Sequence, residues 1–151
     1  MKCTVYREPP SDFHPTVEAA GCYCTYNDKI LLLKRNPSRP QGGKWGVHCG
    51  KLEKGEDQRS AVILEIYEEV GLDIDDDELK EIGKLYVRLP NLDYVFHMFY
   101  KSFQSHPQIK LGLEEHEEAV WVNLDEAYKL PLIAGGVEAL EYYLEIINGC
   151  I

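Results

Sequence analysis

Three glutamates between Gly50 and Leu72 stand at a spacing that constrains the chain strongly. On a helix of about 3.6 residues per turn, Glu65, Glu68 and Glu69 occupy positions i, i+3 and i+4, so their side chains leave one face within a single turn. Like charges held this close repel one another and raise each other's pKa. Carboxylate oxygens shared with substrate phosphates are the ligands that Mg²⁺ prefers. The spacing therefore predicts a helix that presents a cation site.

The segment resembles the Nudix box, G-x5-E-x7-R-E-U-x-E-E-x-G-U, in which U is a bulky aliphatic residue. All fixed positions but one agree, and the matching residues are Gly50, Glu56, Glu65, Ile66, Glu68, Glu69, Gly71 and Leu72. Leu64 stands where the pattern has arginine. The stretches LLLKR, KWG and EEHEEAVWVNLDEAYKLPL also look like family flanks, so the resemblance covers most of the chain.

The resemblance assigns roles to the box residues by position. It implies that Glu68 and Glu69 bind a divalent metal ion and that Glu65 binds metal or acts as the catalytic base. Glu56 and Gly50 are expected to support the site, with the backbone carbonyl of Cys49 as a further metal ligand. The implied ion is Mg²⁺, with Mn²⁺ as an alternative.

Residues outside the box complete the predicted site. The family often uses a glutamate from a downstream loop, and spacing alone does not choose among the four candidates Glu114, Glu115, Glu117 and Glu118. We favour Glu118 as the assisting catalytic residue because it adjoins a predicted strand and has the best-defined backbone. His116 in the same loop is as compatible with exposure as with function. Arg35 is expected to contact phosphate, and Trp45 to stack on a base.

The missing arginine is the main departure from the pattern. An arginine at position 64 would stand four residues before Glu68, where an ion pair on the helix is available. Leu64 cannot orient a carboxylate in this way, and a misplaced carboxylate slows catalysis. Alternatively, Arg59, Lys51 or Lys54 supplies the cation from another direction. His48 and Cys49 also replace the Pro-Gly that commonly precedes the box.

The order of elements predicts an α/β fold, and the resemblance implies a Nudix-like α/β/α sandwich with a mixed central sheet. Residues 16–26 and 29–35 are predicted as a hairpin, and a helix of about fifteen residues is expected to open at Gly55-Glu56-Asp57 and end at Gly71. Its core face is predicted from Ile63, Ile66, Tyr67 and Val70. We expect one domain, residues 1–151, with an irregular lead-in at 1–14, where Pro9, Pro10 and the following Pro15 block regular structure.

Composition limits the partners and the compartment. The net charge of −10 disfavours polymeric nucleic acid and anionic membrane surfaces. The N-terminal residues MKCTVYREPPSDF contain no apolar h-region, so we expect no secretory leader, and no uncharged run is long enough to span a bilayer. The chain has an odd number of cysteines, Cys3, Cys22, Cys24, Cys49 and Cys150, which together with the missing leader favours the cytoplasm. We expect a small-molecule nucleotide as partner and leave a homodimer open.

The resemblance implies a divalent-metal-dependent hydrolase that cleaves the diphosphate linkage of a nucleoside diphosphate derivative or a nucleoside triphosphate. Metal that bridges the phosphate oxygens removes the repulsion that a nucleophile meets at an anionic diphosphate. A catalytically weak domain that binds a nucleotide as a regulator is the alternative that Leu64 supports. Isomerisation of an isoprenoid diphosphate is a third option, which the complete run of box glutamates disfavours.

Overall fold

A computed structural model describes residues 2–149, so Cys150 lies outside the described residues. The strands are β1 (Thr4–Tyr6), β2 (Val17–Tyr26), β3 (Lys29–Arg35), β4 (Trp45–Gly46), β5 (His48–Lys51), β6 (Lys80–Leu89), β7 (Leu92–Phe103) and β8 (His116–Val122). The helices are α1 (Gln58–Val70), α2 (Leu124–Lys129) and α3 (Gly136–Ile147), and a 3₁₀ turn covers Asp76–Glu78. Among residues 2–149, no helix combines the length and apolar character that a membrane crossing requires.

The strands form one mixed sheet with helices on both faces. Its order is β1-β6-β7-β2-β3-β4, with β5 paired to β2 and β8 paired to β3. The β2–β7 pair is parallel, and the other pairs are antiparallel. One apolar cluster joins one sheet face to Leu140 and Tyr143 of α3, and the other joins the opposite face to Ile66 and Val70 of α1. The predicted α/β fold with a mixed central sheet is confirmed.

The first residues of the chain are more regular than we predicted. Thr4–Tyr6 form β1, which pairs antiparallel with Tyr86–Arg88 of β6. The expectation of an irregular lead-in over residues 1–14 is therefore wrong for this stretch. The prolines that suggested irregularity follow β1, so residues 4–6 keep the backbone N–H groups that an edge strand uses.

Helix α1 begins and ends where its capping residues predict. The side chain of Asp57 accepts a hydrogen bond from the backbone N–H of Ser60 at 3.0 Å, which caps the N-terminus. Gly71 ends the helix with a φ of 71°, in the left-handed region that glycine adopts without a Cβ penalty. The predicted helix and its stop at Gly71 are confirmed.

The core face of α1 only partly matches the predicted one, because Ile63 is only half-buried and Tyr67 is exposed. The buried residues are Ala61, Val62, Ile66 and Val70, whereas Tyr67 is 58% exposed. Val62, Ile66 and Val70 form an i, i+4, i+8 stripe against the sheet, and Tyr67 lies about 100° further round the helix. Because Glu65 and Glu69 each precede a residue of this stripe, they lie beside the buried face instead of opposite it.

A charged cluster connects the N-terminal segment to the β6–β7 hairpin. Arg88 donates from Nε and an Nη to the two carboxylate oxygens of Asp93, at 2.9 and 3.1 Å. The backbone N–H of His14 also donates to Asp93 Oδ2 at 3.0 Å. The Arg88 hydrogen bond, followed by that of His14, lowers the pKa of Asp93 to about 2. The ionised carboxylate therefore stabilises the folded state.

We expect Asp93→Asn to lower the melting temperature at neutral pH, because it removes the charge that Arg88 binds. A depressed carboxyl pKa adds stability above the ordinary pKa of 3.8 and loses it as the pH falls towards 2. The difference in melting temperature from wild type should therefore shrink across that window. Asp73→Asn, at an exposed position, is the matched control. A difference that stays constant from pH 7 to pH 2 would contradict this explanation.

Candidate active site

The packing of α1 against β5 places Glu65 directly over Gly50. A Cβ built on Gly50 would overlap the Glu65 carboxylate, so the glycine leaves the space that this side chain occupies. Glu65 is 37% exposed and Glu69 is 23% exposed, whereas Glu68 faces solvent. The structure therefore separates the three box glutamates into two half-buried carboxylates and one exposed one.

Burial and crowded negative charge both act on these carboxylates. Burial is the largest cause that raises the pKa of Glu65 to about 7, followed by the charges of Glu115, Glu56, Glu69 and Glu68. The pKa of Glu69 is also raised, first by burial and then by Glu115, Glu114 and Glu68. A bound cation would favour the ionised forms and so relieve the cost of this arrangement.

Two buried histidines lie beside the carboxylates. His48 Nε2 is 3.9 Å from Glu65 Oε2, and His116 Nδ1 is 4.0 Å from Glu69 Oε2. The ring centroids of the two histidines are 6.5 Å apart. Burial lowers the pKa of His48 to about 4, with a further contribution from His116. Burial and then Arg35 lower the pKa of His116. Both imidazoles are therefore neutral at neutral pH and add no positive charge to the site.

Three side chains that could bind one metal ion lie close together where α1 approaches the start of β8. One ligand atom each from Glu69, Glu115 and His116 lies within 4.8 Å of the other two. Glu69 Oε2 and His116 Nδ1 are both buried, and neither finds a hydrogen-bond partner among the described residues. Buried polar atoms without partners are costly. The side chains therefore fit a bound cation.

A β-bulge decides which downstream glutamate reaches this group. Lys34 of β3 pairs with Glu118, but Arg35 pairs with His116, so Glu117 is the extra residue on β8. Glu117 forms an ion pair with Lys34 at 3.2 Å. Glu118 is exposed and lies outside the three-residue group, which takes Glu115 instead. The sequence offered four glutamates at this point, and only the register at the bulge separates them.

The two residues predicted to bind substrate are placed differently. Arg35 is half-buried, and its Nε donates to the carbonyl of Pro40 at 2.7 Å. It lines a cleft of about 230 Å³ together with Cys49, Tyr94 and His116. Trp45 is 7% exposed and packs in the core cluster, and its stacking on a base stays a prediction.

The other box positions have local roles. Glu56 accepts a hydrogen bond from the backbone N–H of Glu53 at 2.9 Å, which supports the turn before α1. Burial and then the charge of Glu65 raise the pKa of the Cys49 thiol to about 12. That thiol stays protonated, so it is a poor nucleophile. A metal contact from the Cys49 carbonyl stays a prediction.

None of the cations considered from sequence pairs with the box glutamates within residues 2–149. Arg59 donates to the carbonyls of Asp76 and Leu79, and its guanidinium lies 5.6 Å from the Phe99 ring centroid. Lys51 and Lys54 are exposed, and neither forms an ion pair among the described residues.

A cation that sequence reasoning overlooked comes from the loop after β3. Arg39 lowers the pKa of Glu69 and that of His116 through its charge, although it contacts neither residue within ion-pair distance. No box pattern points to Arg39, because its approach depends on how the loop between β3 and β4 folds. His48 was overlooked, and Glu115 was left unresolved among four candidates, for a related reason, since both positions depend on strand register.

Comparisons with known proteins agree on one family. A family model described as NUDIX domain matches residues 15–143. The CTP pyrophosphohydrolase of Escherichia coli strain K12 is 27% identical over 137 residues, which cover 86% of this chain and 93% of the relative. The crystal structure of a MutT NUDIX hydrolase from Burkholderia pseudomallei superposes with a TM-score of 0.72 at 25% identity, covering 83% of this chain and 96% of that one.

A further structural neighbour contains a nucleotide. The NUDIX domain of Shewanella oneidensis NrtR, solved in complex with ADP ribose, superposes with a TM-score of 0.74. The match covers 92% of this chain and 93% of that one. At 15% identity it supports a shared fold and nothing about function.

We expect Gly50→Ala to weaken Mn²⁺ binding by about tenfold, because the new methyl group displaces the Glu65 carboxylate. The fold should survive, since the overlapping atoms are the end of a flexible side chain. Mn²⁺ affinity by electron paramagnetic resonance and melting temperature check the two halves of this expectation. Gly136→Ala, at the start of α3, controls for the loss of a glycine elsewhere. Unchanged Mn²⁺ affinity in Gly50→Ala would show that Glu65 does not need this position.

Proposed function

We propose that this chain, which belongs to the Nudix family and is a hydrolase of acid anhydrides, cleaves the diphosphate linkage of a small nucleotide with the help of Mg²⁺ or Mn²⁺. The observation that carries the proposal is the meeting of Glu69, Glu115 and His116 at one half-buried place, where Glu69 Oε2 and His116 Nδ1 have no hydrogen-bond partner among residues 2–149. Glu65 lies close enough for the charges of Glu115 and Glu69 to raise its pKa. The relative named CTP pyrophosphohydrolase makes CTP and other nucleoside triphosphates the first substrates to test.

The residues that would hold the ion are Glu65, Glu68 and Glu69 of α1, supported by Glu56. When bound, a divalent ion neutralises phosphate charge and lowers the pKa of a coordinated water. The unpartnered Glu69 Oε2 is the feature that fits this chemistry best. The carbonyl of Cys49, one residue before Gly50, is proposed as a further ligand.

The protein's own groups divide the remaining work. We propose Glu65, whose carboxylate lies over Gly50, one residue from the cleft-lining Cys49, as the group that accepts a proton from the attacking water. Arg35 lines the same cleft and is proposed to contact the substrate phosphates. Glu115 takes the assisting place that we assigned to Glu118, because Glu115 lies beside Glu69 and Glu118 does not. His48 and His116 are buried beside the carboxylates and neutral at neutral pH.

The setting of the reaction is proposed from the composition. A net charge of −10 does not attract polymeric nucleic acid, so a free nucleotide is the partner that we propose. Cys3, Cys22, Cys24 and Cys49 are all free thiols, which supports the reducing cytoplasm as the compartment. We further propose that residues 1–151 act as a single domain, and a homodimer stays open.

One observation favours the second candidate function, a nucleotide-binding regulator with weak catalysis. Leu64 is 54% exposed in the place of the orienting arginine, and Arg59 is engaged with Asp76 and Leu79. The carboxylates thus lack a direct ion pair to an arginine or lysine among residues 2–149. The regulator would bind nucleotide tightly and turn it over slowly.

Replacing the box glutamates tests the hydrolase directly. We expect Glu69→Gln to lower Mg²⁺ affinity and CTP turnover together, by about 10²–10⁴-fold in turnover, because the charge is removed at constant size. Glu65→Gln should lower turnover similarly with a smaller loss of metal. Phosphate-release assays with nucleoside triphosphates and ADP-ribose, with and without chelator, make the measurement. Glu141→Gln, on the exposed side of α3, is the control. Normal rates in both box variants would refute the proposed chemistry.

Restoring the missing arginine separates the two candidate functions. If orientation limits turnover, Leu64→Arg should raise the rate by up to about twofold, the equivalent of one helical ion pair with Glu68. Stability should hardly change, because Leu64 is exposed. Leu64→Gln removes the apolar side chain without adding charge and is the control. No turnover in either protein together with tight nucleotide binding would favour the regulator, and equal turnover in all three proteins would refute the orientation argument.

A further inference from the structure

His116 presents a buried nitrogen that nothing in the described protein satisfies. The residue is 3% exposed, and its Nδ1 has no hydrogen-bond partner among residues 2–149. The nearest acidic atom is Glu69 Oε2, 4.0 Å away, which is itself buried and unpartnered. This separation is too long for a direct hydrogen bond. Glu69 Oε2 and His116 Nδ1 are therefore two adjacent buried atoms that can bind metal and that have no hydrogen-bond partner among the described residues.

The backbone holds these side chains in place from two directions. The N–H of Lys110 donates to the carbonyl of Val70 at 2.9 Å, and that of Gly112 donates to the carbonyl of Glu69 at 2.6 Å. The end of α1 is thus bonded to the segment that leads to Glu115.

The loop after β3 holds the same segment from the other side. The N–H of Asn36 donates to the carbonyl of Glu115 at 2.9 Å, and its side-chain amide donates to the carbonyls of Leu113 and Glu114 at 2.7 and 2.9 Å. Next to it, the β-bulge sets His116 opposite Arg35. The group of Glu69, Glu115 and His116 is therefore fixed by tertiary hydrogen bonds.

This set of ligand atoms includes an imidazole nitrogen, whereas the cluster proposed to bind Mg²⁺ consists of carboxylates. Mg²⁺ selects oxygen and dehydrates reluctantly, whereas an imidazole nitrogen suits zinc, cobalt, nickel and iron. We propose that Glu69, Glu115 and His116 bind a borderline transition-metal ion such as Zn²⁺ or Co²⁺. The imidazole nitrogen makes this site prefer such ions to Mg²⁺. The proposal deepens the proposed function, because Glu69 belongs to both ligand sets.

Co²⁺ is the probe of choice, because it is paramagnetic and reports its ligands. In wild type we expect one strongly shifted, exchangeable imidazole N–H resonance in the proton NMR spectrum on Co²⁺ addition. His116→Gln should lose that resonance and weaken Co²⁺ binding by at least about tenfold, while Mg²⁺ affinity changes by less than about threefold. His106→Gln, at an exposed histidine, should keep both the resonance and the Co²⁺ affinity.

A second variant keeps the test valid if His116→Gln fails to fold. Glu115→Gln changes a half-buried carboxylate and should weaken Co²⁺ binding while it retains the shifted imidazole resonance. Circular dichroism and melting temperature establish that each variant is folded. His48→Gln should keep the resonance, because His48 lies near Glu65 and outside the three-residue group.

Three results would overturn the proposal. The first is equal Co²⁺ affinity in wild type, His116→Gln and Glu115→Gln, which would leave a water molecule as the partner of these buried atoms. The second is loss of the resonance in His48→Gln instead of His116→Gln, and the third is loss in His106→Gln. CTP turnover with Mg²⁺ in wild type is scored separately. Turnover without the Co²⁺ signal refutes this inference alone, and the signal without turnover refutes the proposed function alone.

Discussion

The packing of one apolar stripe, Val62, Ile66 and Val70, against the sheet governs the arrangement of the whole site. Glu65 and Glu69 each precede a residue of that stripe, so burying the stripe draws both carboxylates partly out of solvent. Desolvation is then the largest cause of their raised pKa values. Had the helix turned by one residue, the glutamates would face water and repel one another only weakly.

The surroundings of the carboxylates do not neutralise their negative charge. His48 and His116 are buried and neutral, Arg59 is engaged elsewhere, and Arg39 acts on Glu69 only at a distance. The site therefore gathers negative charge without a matching protein cation in contact. Such an arrangement lowers the stability of the folded state. A metal ion that binds the folded state but not the unfolded one would offset this cost. Under the proposed function, metal binding is therefore expected to stabilise the folded protein.

Several features of the structure can be predicted from the sequence alone. The i, i+3, i+4 spacing of glutamates indicated the helix, and Gly71 indicated its end, because both follow from local backbone geometry. The β2–β3 hairpin was also readable, and Asn27 and Asp28 adopt the positive φ angles, 51° and 63°, of a tight turn. Tyr67 was misplaced because a helical pattern defines an apolar face only to within one residue. The sequence could not decide whether Trp45 packs in the core, because an aromatic side chain gives no sign of which neighbours cover it.

The chain alone thus determined its family, its class of fold and the identity of the box carboxylates. Each of these depends on residues close in sequence, whose geometry is set by the backbone of one helix and the turns beside it. Only the tertiary structure decided that Glu115 and not Glu118 lies by Glu69, that His48 and His116 lie beside the acids, and that Arg59 does not. These outcomes depend on strand register and one β-bulge, which are set by packing between residues far apart in the chain.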